Sequence, residues 1–298
     1  MQITASMVKE LREKTGAGMM DAKKALQENN GDFEASIDWL RKKGVAKAAK
    51  KSARTAAEGM VWATAEGTKG AMVEVNAETD FVAKNEKFTD FVKKLSQLVL
   101  ETGETDIEKL SAMDWPEGGT VGEQLTTLIA TIGENMSLHR ASTLSVDSGA
   151  VQAYIHMNGK IGVLVGIESS DSSDELSETA RQVAMHVAAS NPQYPDRNSV
   201  DAAAIEREKA VYSDQAKQSG KPENIIEKIV EGRMNKFFEE VCLVDQAFIM
   251  DTDRKVGQVI SGAGSDAKLA GYVRFQLGEG IERKEEDFAA EVAAAVAS

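Results

Sequence analysis

From Gly70 the spacing of apolar residues changes period. Ala71-Met72-Val73-Glu74-Val75 alternates as a short strand, and Phe88, Phe91, Val92, Leu95, Leu98 and Val99 then recur at helical spacing. The same succession starts again after Gly159: Ile161-Gly162-Val163-Leu164-Val165, a polar turn, then Ala180, Val183, Ala184, Val187 and Ala188. A strand that hands over to a helix twice in one chain points to an α+β fold and predicts a duplicated core. Two unrelated uses of one common supersecondary unit fit the same pattern.

Around this core the chain divides by its breakers. Residues 1–54 read as three short helices and a linker: Met7, Val8 and Leu11, then Ala22, Ala25 and Leu26, then Phe33, Ile37 and Leu40 are the apolar sets. Gly44 is placed to end the third helix, and the basic run from Lys42 to Lys51 reads as a solvated linker or frayed helix rather than a basic nucleic-acid arm, and is treated as a linker. The Gly-Met-Met start, the Lys-Lys-Ala-Leu second helix and the Asn-Asn-Gly-Asp turn make this head resemble a ubiquitin-associated domain, a protein-binding module. Met19 and Met20 read first as core, although methionine also suits adaptable contacts.

Residues 55–140 form one half of the core and 141–268 the other. The second half carries an insertion at about 192–230, read as an antiparallel helical hairpin over Asp201 to Gln218 and Pro222 to Phe238, split by Ser219-Gly220-Lys221. The hairpin is rich in Glu, Lys and Ala, so it is expected to project and to offer a surface for homodimer formation. Val241 to Met250 is expected as a returning strand. Residues 269–298 supply a last strand, Gly271 to Leu277, and a C-terminal helical module, Phe288 to Val296.

Charge and composition exclude several functions. Residues 1–54 carry 12 Lys/Arg against 7 Asp/Glu, whereas the remainder carries 23 against 41. An acidic body repels phosphate backbones, so a protein partner is expected rather than nucleic acid. A single cysteine, Cys242, rules out an internal disulfide, and three scattered histidines have no metal-ligand spacing. No apolar run reaches the roughly 20 residues that span a membrane, and Met1-Gln2-Ile3-Thr4 has no signal pattern, so a soluble protein of the reducing cytoplasm is expected.

Catalytic motifs do not emerge. No phosphate-cradling loop occurs, and Gly278-Glu279-Gly280 is an isolated turn. His139, His156 and His186 have no nucleophile motif around them, and His186 reads as an ordinary helix position. Glu285, Glu286 and Asp287 suit a helix start, where anions favour the dipole.

Thr79-Asp80-Phe81-Val82-Ala83-Lys84-Asn85 sits where the strand period becomes helical. Thr79 or Asp80 can cap the helix while Phe81 joins the core. Alternatively the corner faces a partner, because Phe81 is crowded by Glu78, Asp80, Lys84, Asn85 and Glu86. Pattern alone leaves both readings standing.

Several separated segments together resemble the bacterial elongation factor Ts family over nearly the whole length. They are Leu11-Arg12-Glu13-Lys14-Thr15-Gly16-Ala17-Gly18-Met19-Met20-Asp21-Ala22-Lys23-Lys24-Ala25-Leu26, Thr79-Asp80-Phe81-Val82-Ala83-Lys84, Ile132-Gly133-Glu134-Asn135, His186-Val187-Ala188-Ala189, Val230-Glu231-Gly232-Arg233-Met234, and Arg274-Phe275 with Gly278-Glu279-Gly280-Ile281-Glu282. The resemblance implies a nucleotide-exchange factor, with no catalytic residue, metal or cofactor of its own, acting on the GDP form of the GTPase elongation factor Tu. It implies that Asp80 and Phe81, flanked by Thr79 and Val82, intrude beside the magnesium and phosphate site of that GTPase. Arg12, Met19, Met20 and Lys23 are the implied contacts of the head. His156, Ile249 and Met250 correspond to core residues near other contacts, although the loop His156-Met157-Asn158-Gly159 departs locally from relatives. The C-terminal helix from Phe288 is implied to dock on the GTPase domain. The competing reading is a protein-binding adaptor built on the head, and a hydrolase using His156 is a distant third.

Overall fold

The computed structural model describes residues 3–218 and 222–282. It opens with α1 (Ala5–Thr15), α2 (Met19–Glu28) and α3 (Phe33–Lys51). The Thr4 and Asp32 side chains cap α1 and α3 by accepting from the N–H groups of Met7 and Ala35. Val8, Leu11, Ala22, Ala25 and Leu26 form the buried centre of this head.

Two expectations for the head need correction. Met19 and Met20 are 59% and 74% exposed, so they lie outside its core. Helix α3 also continues through Gly44 to Lys51, so the basic run is part of the helix and not a linker. Gly44 is buried against Ala130, where an added Cβ would stand 3.5 Å from the Ala130 Cβ. That is an ordinary van der Waals distance, so the glycine neither stops the helix nor is demanded by the contact, and Lys50 and Lys51 complement the negative end of the helix dipole.

The next elements are β1 (Glu58–Glu66), β2 (Lys69–Ala77), α4 (Glu86–Thr102), α5 (Ile107–Ala112), α6 (Val121–Ile132) and β3 (Met136–Ser145). Then come β4 (Gly149–His156), β5 (Ile161–Glu168), α7 (Asp174–Ser190), α8 (Ala202–Lys217), α9 (Glu223–Val241), β6 (Ala247–Phe248), β7 (Asp251–Lys255), α10 (Val256–Gly262) and β8 (Lys268–Gln276). Two three-stranded antiparallel sheets result, ordered β1-β2-β3 and β4-β5-β8, beside a two-stranded antiparallel ribbon of β6 and β7. The fold is therefore mixed α+β, with N-terminal helices and antiparallel sheets.

One face of each sheet is covered by a helix. Phe88, Val92, Leu95 and Val99 of α4 pack with Val73 and Val75, and Leu176, Val183 and Val187 of α7 pack with Val163 and Val165. Each large side chain so buried contributes roughly 1.5 to 3 kcal/mol. The opposite faces meet through Val61, Ala63, Met72, Leu164 and Phe275. Glycines set the approach, since a Cβ at Gly70 would fall 2.8 Å from Val151 Cγ1 and one at Gly162 would fall 2.6 Å from Val61 Cγ1. The Val61 N–H donates to the Gly159 carbonyl at 2.8 Å, and the Val151 N–H to the Gly67 carbonyl at 2.9 Å. The β1–β2 and β4–β5 turns thus each accept a bond from the first strand of the other sheet.

Strand β2 is buried on both faces as a result. Glu74, the polar member of its alternation, is only 1% exposed. Its carboxylate accepts from Arg140 Nε and from the Gly278 N–H, both at 2.7 Å, which offsets the cost of burying the charge.

Helices α8 and α9 pack antiparallel through Ala216, Val230 and Met234, and the turn 219–221 between them lies outside the described residues. The expected strand from Val241 to Met250 is not one. Helix α9 reaches Val241, a 3-10 turn occupies Leu243–Asp245, and β6 has two residues. Its neighbour is the segment holding Pro192 and Pro195, which cannot donate a continuous ladder; only Gln193 and Tyr194 give N–H groups, both to the Val241 carbonyl. The helix expected over Phe288 to Val296 lies outside the described residues.

Candidate partner-binding surface

The corner after β2 settles neither into the cap nor into the core. Asn85 caps α4 instead, its side chain accepting from the N–H groups of Lys87 at 3.0 Å and Phe88 at 3.4 Å. Phe88 takes the buried position, whereas Phe81 is 74% exposed. The cap-and-core reading is overturned on both counts.

Between Ala77 and Asn85 the backbone is nevertheless held at several points. The Thr79 N–H donates to Glu134 Oε2 at 2.9 Å and its hydroxyl to Oε1 at 2.8 Å. Glu78 accepts from the Asn135 N–H and pairs with Arg54 at 3.3 Å, while the Asn135 amide donates to the Arg54 carbonyl at 2.7 Å. Val82 is buried, and a 3-10 turn over Val82–Lys84 closes as the Asn85 N–H donates to the Val82 carbonyl at 2.9 Å. Lys84 sits 3.6 Å from Asp80 and 5.5 Å over the Phe81 ring. An apolar ring is thus held in water by a rigid frame, an arrangement that lowers the ordering cost of insertion into a partner.

Glu134 and Asn135 stand out in the sequence only as a marker of resemblance, and nothing local signals their part in the corner. They contact it from more than 50 residues away in sequence.

The head presents Arg12, Met19, Met20 and Lys23 together at the end of α1 and the start of α2, all exposed. Arg12 Nε donates to the Ala17 carbonyl at 3.3 Å. Asp21 ties α2 to α3 through Lys43 and Lys47, both at 2.6 Å, and these bonds, Lys43 first, hold its carboxyl below the usual value of 3.8. Helix α3 is in turn fixed to α6 by the ion pair of Arg41 with Glu123, and Lys51 donates to the Gly133 carbonyl. The head and the corner therefore share residues 133–135 as a support.

His156 is half-buried at the end of β4, its Nδ1 3.0 Å from the Tyr154 hydroxyl. Its loop lies on β1 through Gly159 and Val61, so the structure brings it to the sheet that carries the corner. Ile249 and Met250 are 44% and 47% exposed in the turn between β6 and β7, which packs on α7 of the other sheet. They have no direct bond to the corner among the hydrogen bonds described.

A family model for elongation factor TS matches residues 78–279. A curated elongation factor Ts of Magnetococcus marinus is 59% identical over 301 aligned residues, covering 99% of each chain. The chain belongs to the elongation factor Ts family. Members from Sphingopyxis alaskensis and Rhodospirillum rubrum are each 56% identical across at least 98% of both chains. The function is accordingly that of a translation elongation factor of the Ts type, which exchanges nucleotide on a partner and is not an enzyme. No helix among the described residues is long and apolar enough to cross a membrane.

Proposed function

We propose that the chain binds elongation factor Tu in its GDP form and releases GDP by pressing Asp80 and Phe81 against the elements that hold magnesium and phosphate, after which GTP rebinds. The carrying observation is Phe81, 74% exposed between the anchored residues Thr79 and Val82. Magnesium needs near-octahedral oxygen ligands, so shifting one of the elements that position it weakens GDP without chemistry on GDP. The coupling is reciprocal: whatever favours the nucleotide-free GTPase disfavours GDP equally. Burying one Phe is worth roughly 1.5 to 3 kcal/mol, and a decade of affinity about 1.4 kcal/mol. Phe81 thus supplies about one to two decades, and the remaining contacts must supply the rest.

Those contacts are Arg12, Met19, Met20 and Lys23 on a ubiquitin-associated-like head, with His156, Ile249 and Met250 on the core. Thr79 and Val82 act by holding the corner. We read the two sheets as a duplicated core over residues 55–140 and 141–268, supported by their like strand order and exchanged turn contacts. The hairpin at about 192–230 offers Val211 and Ile225, 43% and 38% exposed, to a second copy, and β8 closes the core. The site of action is the cytoplasm.

Stopped-flow release of fluorescent GDP from elongation factor Tu tests the central reading. Phe81→Ala should slow release by about tenfold or more with the fold intact. Release at the wild-type rate would remove the wedge. An adaptor built on the head alone would lose all binding without residues 1–54, whereas an exchange factor keeps affinity through its core.

A further inference from the structure

Ile249 and Met250 stand on a hairpin too small to hold them. Strand β6 has two residues, and its pairing with β7 slips register between Ala247 and Phe248, so the ladder cannot fix the turn. Support comes from below. His186 on α7 is 1% exposed, and the Ile249 N–H donates to its Nδ1 at 3.2 Å.

A backbone N–H can only donate, so Nδ1 is unprotonated and the ring proton is on Nε2, 2.9 Å from Gln246 Oε1. The Gln246 amide is oriented in turn, since its nitrogen donates to the Glu240 carbonyl at 2.8 Å. The tautomer is therefore set by a relay running from the last turn of α9 to the tip. The Phe248 ring packs beside the imidazole, with the two ring centroids 5.8 Å apart. Burial lowers the ring's pKa below 6.5, only partly opposed by the Gln246 bond, which favours the neutral acceptor.

We propose that His186 is the positioning residue of the tip, and that its bond to Ile249 sets the turn in which Ile249 and Met250 meet the GTPase. This rests on the reading that the tip is a partner contact.

A double-mutant cycle on the full chain separates the two claims, with the KM for elongation factor Tu–GDP and kcat measured by GDP-release kinetics. His186→Leu should raise KM by about 2- to 10-fold, the equivalent of one lost hydrogen bond, with kcat little changed. Added to Ile249→Ala/Met250→Ala, it should raise KM no further, because His186 acts only through the tip. His186→Asn, whose carbonyl can accept from the Ile249 N–H, should recover part of the loss. Full additivity, or an unchanged KM in His186→Leu, overturns the proposal. A wild-type KM in Ile249→Ala/Met250→Ala instead removes the tip reading itself. Should His186→Leu not fold, hydrogen exchange in the intact protein decides: the Ile249 amide should be protected as α7 is, and exchange at the rate of an open turn refutes the positioning role.

Discussion

Glu134 grips Thr79 with both carboxylate oxygens, one on the backbone N–H at 2.9 Å and one on the hydroxyl at 2.8 Å. The exposed ring two residues later is held out by this clasp as much as by buried Val82. Glu134→Ala leaves the Thr79 groups to water and frees the corner. Hydrogen bonds to a charge are worth about 1.5 to 3 kcal/mol, and partial exposure favours the low end. GDP release should slow by about tenfold while thermal unfolding shifts only a few degrees. Release at the wild-type rate would show that the corner does not depend on Glu134.

Gly162→Ala should destabilise the core without touching the corner. The added carbon would fall 2.6 Å from Val61 Cγ1 and 2.7 Å from Met72 Sδ, in the layer where the two sheets meet. Overpacking of this kind costs about 1 to 3 kcal/mol. Urea unfolding measures it directly, and an unchanged midpoint would mean that the layer relaxes freely.

Met157→Gly should do the opposite. Met157 has φ 49° and an exposed side chain, a left-handed conformation that costs a non-glycine residue about 1 to 2 kcal/mol. Glycine removes that penalty but adds freedom to the unfolded chain, so a net gain of about 0.5 kcal/mol is expected. A lower denaturation midpoint would contradict the assignment of strain.

Acid should find His186. Its folded pKa is depressed below 6.5 by burial, so in the window beneath 6.5 the unfolded chain binds the proton first. Stability is thus full above that window and declines as pH falls through it. Protonation also puts a second donor against the Ile249 N–H. Denaturation midpoints measured across the window should fall more steeply for the wild type than for His186→Asn; parallel curves would show that the ring does not carry the effect.

Much of the architecture can be read from apolar spacing. The turns of period around Gly70 and Gly159 are legible because α4 and α7 bury their apolar faces on strands close in sequence. Gly44 misleads because a glycine can stop a helix or sit inside one that packing sustains, and here α3 runs on past it where it lies against Ala130 of α6. Met19 and Met20 mislead for a related reason: methionine serves core and surface alike, and the head fills its centre with Ala22, Ala25 and Leu26. The clasp on Thr79 and the seat of Ile249 on His186 are long-range polar contacts, which leave no period to detect.

Because α3 runs unbroken from the head to Lys51 and is pinned to α6 there, the protein is less a hand on a string than a pair of callipers. A flexible leash would let the head find its footing on any conformer of the partner. A stiff arm does not: with Arg41 on Glu123 and Lys51 on the Gly133 carbonyl, the head and the corner share one frame. If Met20 and Phe81 are the contacts proposed above, a GTPase conformer with footholds at another distance can engage only one of them. On that proposal, selection among partner conformations would come from the gauge of the instrument, before any ring is pressed home.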